Sequence, residues 1–208
     1  MLELGFARER IDVVPPGIDP RYSPGGELTA EPSVLAVGRL VPVKRIDRLI
    51  RAVVQAREAV PTLTLTVVGT GPLRHELDEL VASLDATDAI RFAGRIDDDE
   101  LLALYRSSWV VASSSVREGW GMTLTEAAAC GTPSVATRIA GHVDAVADGA
   151  SGLLAADDRE LVQHLVRVAS DRAERDRLAA GALAHAARFT WERTATDILT
   201  ALAGEAHR

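Results

Sequence analysis

VLAVGRLVPVKRIDRLIRAVVQAREA, running from Val34 to Ala59, contains the first full unit of the fold. Val34 to Val37 is a short apolar run closed by Gly38, the signature of a strand covered on both faces. The apolar spacing then turns helical from Ile46 to Ala59. Further strands are expected at Leu63–Val68, Ile90–Ala93, Trp109–Ala112, Ser134–Thr137 and Gly152–Leu154, with helices at Leu73–Leu84, Asp98–Arg106, Met122–Ala129 and His142–Ala147. Strand, crossover and strand recur about five times, which implies an α/β, Rossmann-like, doubly wound parallel sheet of about six strands; a closed barrel would need about 250 residues. Ligands in such sheets sit at the carboxyl ends of the strands, so the loops there carry the functional reading.

The 208 residues suffice for one α/β domain, or one with a fragment of another. Of 23 basic residues only Lys44 is a lysine, and 30 acidic residues leave a net charge of −7. That balance excludes a general electrostatic grip on nucleic acid or an anionic bilayer, so any bound anion must be held by particular groups. A single cysteine, Cys130, forms no internal disulfide and fits a reducing, cytoplasmic setting. No apolar run approaches the roughly 18 residues of a membrane span, and charges at Glu3, Arg8, Glu9, Arg10 and Asp12 interrupt any leader. Residues 1–30 read as a lead-in or linker, in which Val13-Val14 is a strand halted by Pro15 and Pro16. Residues 31–187 form the main domain, and residues 188–208 a C-terminal helix. From Asp157 onward amphipathic helices of mixed charge read as solvated faces.

Gly38-Arg39-Leu40-Val41-Pro42-Val43-Lys44 leaves the first strand and enters the first helix. Arginine forks onto phosphate oxygens, lysine supplies a point charge and helix amides add to both, although two exposed cations at a helix start would look the same. Gly69-Thr70-Gly71-Pro72-Leu73-Arg74 departs from a dinucleotide fingerprint, since Arg74 stands at its third glycine and the motif follows the second strand. Asp97-Asp98-Asp99-Glu100 reads as a capping box rather than a metal site. The most informative stretch is Arg117-Glu118-Gly119-Trp120-Gly121-Met122-Thr123-Leu124-Thr125-Glu126. Its glutamates suit sugar hydroxyls, its glycines allow close approach, and the amides near Met122 and Thr123 suit a phosphate. In Cys130-Gly131-Thr132-Pro133 the glycine caps a helix and the cysteine reads as a small buried apolar group. Ser113-Ser114-Ser115 has no evident histidine partner, which argues against a hydrolase triad. His75, His164, His185 and His207 are expected on the surface, while His142 is placed to line a cleft.

Together, Gly38-Arg39 with Lys44, Gly69 to Gly71, Phe92-Ala93-Gly94, Glu118 with Glu126, and Cys130 to Pro133 resemble the C-terminal, donor-binding domain of retaining glycosyltransferases of family 4, with the GT-B fold. The resemblance is strongest from Val34 to Leu154, and Val14-Pro15-Pro16-Gly17-Ile18-Asp19 is similar to the segment that enters this domain. It implies transfer of a sugar from a nucleoside diphosphate sugar (UDP, GDP or ADP) with retention of configuration and with no metal or cofactor. Arg39 and Lys44 would hold the diphosphate, Glu118 the transferred sugar and Glu126 the ribose. Gly38, Gly71, Gly119, Trp120, Gly121, Met122 and Thr123 would line the donor, with Arg95 and Ile96 beside the base. Ala140-Gly141-His142-Val143-Asp144 stands where the family often has Gly-Gly followed by Pro-Glu. The family's acceptor domain is missing from the chain, and any membrane contact would fall to it. The chain is therefore expected to be a fragment or to need a partner subunit, and the tail from Thr190-Trp191 resembles the helix that returns to that domain. Two other readings remain: an NAD-dependent Rossmann oxidoreductase, and a non-catalytic partner domain that binds nucleotide sugar.

Overall fold

The computed structural model describes residues 11–206, without the side chains of residues 204–206. The charged stretch before Ile11 and His207 lie outside the described residues. Six strands, β1 (Ser33–Val37), β2 (Thr64–Val68), β3 (Ile90–Gly94), β4 (Val110–Ser113), β5 (Ser134–Thr137) and β6 (Gly152–Ala155), form one parallel sheet in the order β3-β2-β1-β4-β5-β6. Between and after them run α1 (Ile46–Ala56), α2 (Arg74–Ser83), α3 (Asp98–Ser107), α4 (Met122–Ala129), α5 (Ala140–Ala145), α6 (Asp158–Ser170), α7 (Arg172–Ala186) and α8 (Trp191–Ala206). This is the doubly wound, Rossmann-like arrangement expected from the sequence.

Alternate residues of each strand enter opposite cores, which explains the uninterrupted apolar runs. Val34 and Ala36 of β1 pack with Leu49 and Ile50 of α1, Leu77 of α2 and Leu161 of α6. Leu35 faces the other side, among Tyr105 of α3, Leu124 of α4 and Ala145 of α5. A third layer sets Ala182 and Ala186 of α7 against Ala128 of α4, with Ile18 and Phe189.

Helix starts follow local chemistry. Asp97, Asp157 and Asp171 cap α3, α6 and α7, each carboxylate accepting an amide three residues on, so the acidic run at Asp97 is a cap. Three expectations are corrected. Helix α1 stops at Ala56, and Arg57–Ala59 form a turn because Pro61 lies just beyond. Helix α5 begins at Ala140 rather than His142 and ends at Ala145, where Val146 turns to extended backbone. Val13-Val14 forms no strand. Pro15 and Pro16 lack amide donors, and the segment instead ties to the α7–α8 corner: the Ile18 amide donates to the Phe189 carbonyl at 2.9 Å and the Thr194 hydroxyl to the Pro15 carbonyl at 2.8 Å.

The Gly-x-Gly turn after β2 supports the loop after β1. Gly69 has φ +131°, and a Cβ there would collide with the Gly38 carbonyl; one at Gly71 would collide with that of Leu40. Leu40 donates its amide to Thr70 and receives that of Leu73. Gly94 also has positive φ, at +70°, but nothing lies within 4 Å of a Cβ built there. Gly94→Ala should therefore cost only backbone strain, about 1–2 kcal/mol. Gly69→Ala, which adds a backbone collision, should cost about 2–4 kcal/mol in urea unfolding. Equal losses would show that the β1 loop yields freely.

Candidate functional site

Strand β1 pairs with β4, Val34 against Val110 and Leu35 against Val111, and the chain leaves these neighbours toward opposite edges of the sheet. Their carboxyl ends flank the crevice where such sheets bind ligands. The two loops there are fastened together. The Val116 amide donates to the Val43 carbonyl at 3.0 Å, and the Ser114 hydroxyl donates to the carbonyls of Lys44 and Arg45 at 3.1 and 2.6 Å. Arg45, at φ 48° and ψ 45°, turns the chain between the short 3-10 turn Pro42–Lys44 and α1. A left-handed non-glycine residue is strained, and the Ser114 bond holds it in place.

This fastening brings Lys44 onto Glu118, 74 positions away, with Nζ 2.6 Å from Oε1. Both side chains are largely covered, at 25% and 16% exposure. The Ser115 hydroxyl donates to the same oxygen at 2.7 Å. Burial pushes the Glu118 carboxyl up, but the hydrogen bonds from Lys44 and Ser115 more than offset this and hold it below the ordinary carboxylate range. Gly141 of α5 lies directly against this loop, and a Cβ there would sit 2.6 Å from the Glu118 carbonyl oxygen. The atypical 140–144 segment thus packs beneath Glu118.

Helix α4 starts at the site without a side-chain cap, since its first flanking residue is Gly121. The amides of Met122 and Thr123 donate to nothing among the described residues, so the positive end of the helix faces the crevice unsatisfied. One turn on, Glu126 Oε2 accepts the hydroxyl of the fully buried Tyr105 at 2.9 Å. Burial raises the Glu126 carboxyl; the Tyr105 bond pulls it down, while Asp98 and Asp19 push it further up. Each glutamate keeps one oxygen, Oε2 of Glu118 and Oε1 of Glu126, without a hydrogen-bond donor among the described residues.

The remaining candidates are distributed unevenly. Arg39 is exposed at the end of β1; its carbonyl accepts the Val41 amide at 2.9 Å, while its side chain makes no hydrogen bond or ion pair among the described residues. Gly38 touches the Lys44 stem, and Gly119 is open on the Cβ side. Gly121 sits 3.0–3.3 Å from Leu124 and Ala145 by its Cβ direction, and Gly71 supports Leu40. Trp120 anchors the loop from within, edge-on to Phe189 at 5.6 Å. Arg95 is exposed and Ile96 packs in the α3-side core, two strands from β1. Arg74 lies over the Phe92 ring at 4.5 Å, outside any dinucleotide cradle. The Cys130 thiol is pushed up to about 11 by burial, as a buried apolar group should be.

The histidine expectations need correcting. His142 does not line a cleft: it is 1% exposed, with Nε2 3.2 Å from Ser113 Oγ. The serine run therefore has a histidine partner, 29 positions on, which spacing alone could not show. No triad results, because Nδ1 meets the Thr137 carbonyl at 2.8 Å rather than a carboxylate. His185 is half-buried against Phe189 rather than on the surface. The parts of Tyr105 and Ser114 escaped the sequence reading because each acts on a distant element, whereas Ser115, read there only as one of a serine run, acts on Glu118 three residues on.

The family model described as "Glycosyl transferases group 1" matches residues 24–185. The chain is 41% identical over 215 residues to a D-inositol 3-phosphate glycosyltransferase of Stackebrandtia nassauensis, covering 93% of this chain and 48% of that protein. It thus spans about half the length of the curated relatives it matches. In three dimensions it is similar to Anabaena HepE, solved in complex with UDP and glucose, with a TM-score of 0.84, 23% identity and coverage of 98% and 59%. It is also similar to the pneumococcal O-GlcNAc transferase GtfA, solved in complex with UDP and GlcNAc, with a TM-score of 0.77, 24% identity and coverage of 89% and 38%.

Glu126 provides a test of the site's electrostatics. Its folded carboxyl keeps its proton to higher pH than the unfolded one, so its favourable contribution is complete below the ordinary carboxylate range and is lost as pH rises through the raised value. Glu126→Gln, which still accepts from Tyr105, should raise Tm at about pH 8, with the gain fading toward about pH 4. A gain independent of pH would contradict this origin.

Proposed function

The chain belongs to the group 1 glycosyl transferases, and from that premise we propose that it is the donor-binding half of an enzyme that moves a sugar from a nucleoside diphosphate sugar to an acceptor with retention of configuration. The observation that carries this reading is the Lys44–Glu118 contact across the β1/β4 crevice, set beside the uncapped start of α4. A diphosphate needs positive charge, and Arg39 and Lys44 of the β1 loop and the Met122 and Thr123 amides that open α4 after β4 would supply it. A sugar and a ribose need acceptors for their hydroxyls, and Glu118 Oε2 and Glu126 Oε1 have no donor among the described residues.

The mechanism follows from these roles. The bond from the anomeric carbon to the diphosphate oxygen breaks, and its electron pair leaves with the diphosphate, where Arg39 and Lys44 stabilise the growing negative charge. The sugar ring becomes positive as this happens, and the Glu118 carboxylate, ionised because Lys44 and Ser115 hold it so, orients the ring and favours that charge. The acceptor oxygen attacks from the face the diphosphate leaves, its proton passing to a departing phosphate oxygen. The new bond therefore keeps the old configuration, and the protein cations do the work a metal would do.

A uridine diphosphate donor is favoured, because the two similar structures are described as holding UDP. The acceptor is assigned to a second unit, in keeping with the half-length match to the relative.

Lys44→Ala and Arg39→Ala should each weaken UDP binding by about 1.5–3 kcal/mol, the scale of a charge-assisted contact, while leaving uridine nearly unaffected. Isothermal titration calorimetry measures both ligands. Equal losses for UDP and uridine would remove the diphosphate assignment.

A further inference from the structure

His142 is a buried polar group that the proposed chemistry does not use. An apolar side chain would fill its place without the cost of desolvating an imidazole, so its contacts need a reason. A line of contacts runs from it to Glu118: His142 Nε2 to Ser113 Oγ at 3.2 Å, Ser113 Oγ to Ser115 Oγ at 3.3 Å, and Ser115 Oγ to Glu118 Oε1 at 2.7 Å.

Counting protons decides how this line works. The Thr137 carbonyl can only accept, so the proton of a neutral His142 sits on Nδ1, 2.8 Å away. The Thr137 hydroxyl donates to the Ser115 carbonyl at 2.6 Å, leaving its oxygen free to accept from the same Nδ1–H. Neutral Nε2 therefore takes the Ser113 proton. Ser115 gives its one proton to Glu118, and the central serine contact is left with none. If Nε2 also carries a proton, Ser113 accepts it and turns its own hydroxyl toward Ser115. Three donors then point in series at Glu118 Oε1. Lys44, the other group on that oxygen, would at the same time be drawn toward a bound diphosphate, so Ser115 becomes the remaining anchor.

We propose that His142 is the positioning residue for Glu118, setting its carboxylate through Ser113 and Ser115 and tightening that hold when the imidazole becomes doubly protonated. The consequence for donor binding rests on the assignment of Glu118 to the donor sugar. The charged groups facing the ring are Glu118 from the β4 loop, which favours the proton, and Lys44 from the β1 loop, which opposes it. Burial, aided by Lys44, outweighs the Thr137 hydrogen bond and Glu118 and holds the ring below the ordinary imidazole range, so the tightening belongs to acidic conditions.

Two measurements on the full chain test this. Carboxyl-carbon NMR of the ligand-free protein should show the Glu118 signal shifting again at the pH where the His142 ring titrates. That second step should shrink to its through-space remainder in Ser113→Ala, which breaks the line but keeps the histidine. It should vanish altogether in His142→Gln, whose amide can donate to Ser113 at every pH. Calorimetry should show the advantage of UDP-GlcNAc over UDP growing by up to about tenfold as the pH falls from about 7.5 through the titration of the ring, the scale of one hydrogen bond to a charged group, and staying nearly flat in both variants. A missing second step overturns the proposal, and so does one that survives undiminished in Ser113→Ala, since charge through space would then be its whole cause. If the wild type shows the serine-dependent step yet binds neither UDP nor UDP-GlcNAc, the positioning role stands and the donor assignment falls.

Discussion

The structure turns on the parallel pairing of β1 with β4. Strands that leave a sheet toward opposite edges must separate the loops at their carboxyl ends, and the gap exposes backbone and helix termini in one place. Here the gap is crossed by the Ser114 hydroxyl and the Val116 amide, which hold the β4 loop to main-chain carbonyls of the β1 loop. The Lys44–Glu118 contact depends on that fastening, for a flexible lysine and a loop glutamate would otherwise remain solvated and apart.

Several local rules are broken around this gap. Helices α3, α6 and α7 have aspartate caps, whereas α4 begins at a glycine with its amides unsatisfied. Arg45 takes a left-handed conformation. Glu126 is buried enough to raise its carboxyl, with only Tyr105 among the described residues donating to it. Each feature costs stability and keeps a charge or dipole ready for a ligand that would satisfy it, which is the expected pattern of a binding site.

Much of this was legible in the sequence for identifiable reasons. A strand covered on both faces must be apolar throughout, so Val34–Val37 and its counterparts stood out, and a capping carboxylate acts within one turn, so Asp97 was readable. Arg39, Lys44 and Glu118 were singled out by residue type and loop position, and Glu126 by its place in the helix that follows. Val13-Val14 failed because an apolar pair forms a strand only where a sheet edge accepts it, and here the corner between α7 and α8 takes the segment instead. Gly69 and Gly71 looked ready to approach a ligand, but their missing side chains admit the backbone at Gly38 and Leu40. Ser113 seemed to lack a histidine because the partner lies beyond β5, on a helix that begins two residues before the expected start.

The amino-acid sequence by itself determined the periodicity, the helix caps and the placing of cations and carboxylates at strand ends, because these rest on interactions within a few residues. Only the tertiary structure decided which of those groups meet. The Lys44–Glu118 pair, the Tyr105–Glu126 bond and the path from His142 through two serines each join elements tens of residues apart. Contacts of that kind are set by strand order and by close approach of backbones at Gly69, Gly71 and Gly141. No local pattern encodes strand order, since it follows from how the whole sheet buries both of its faces.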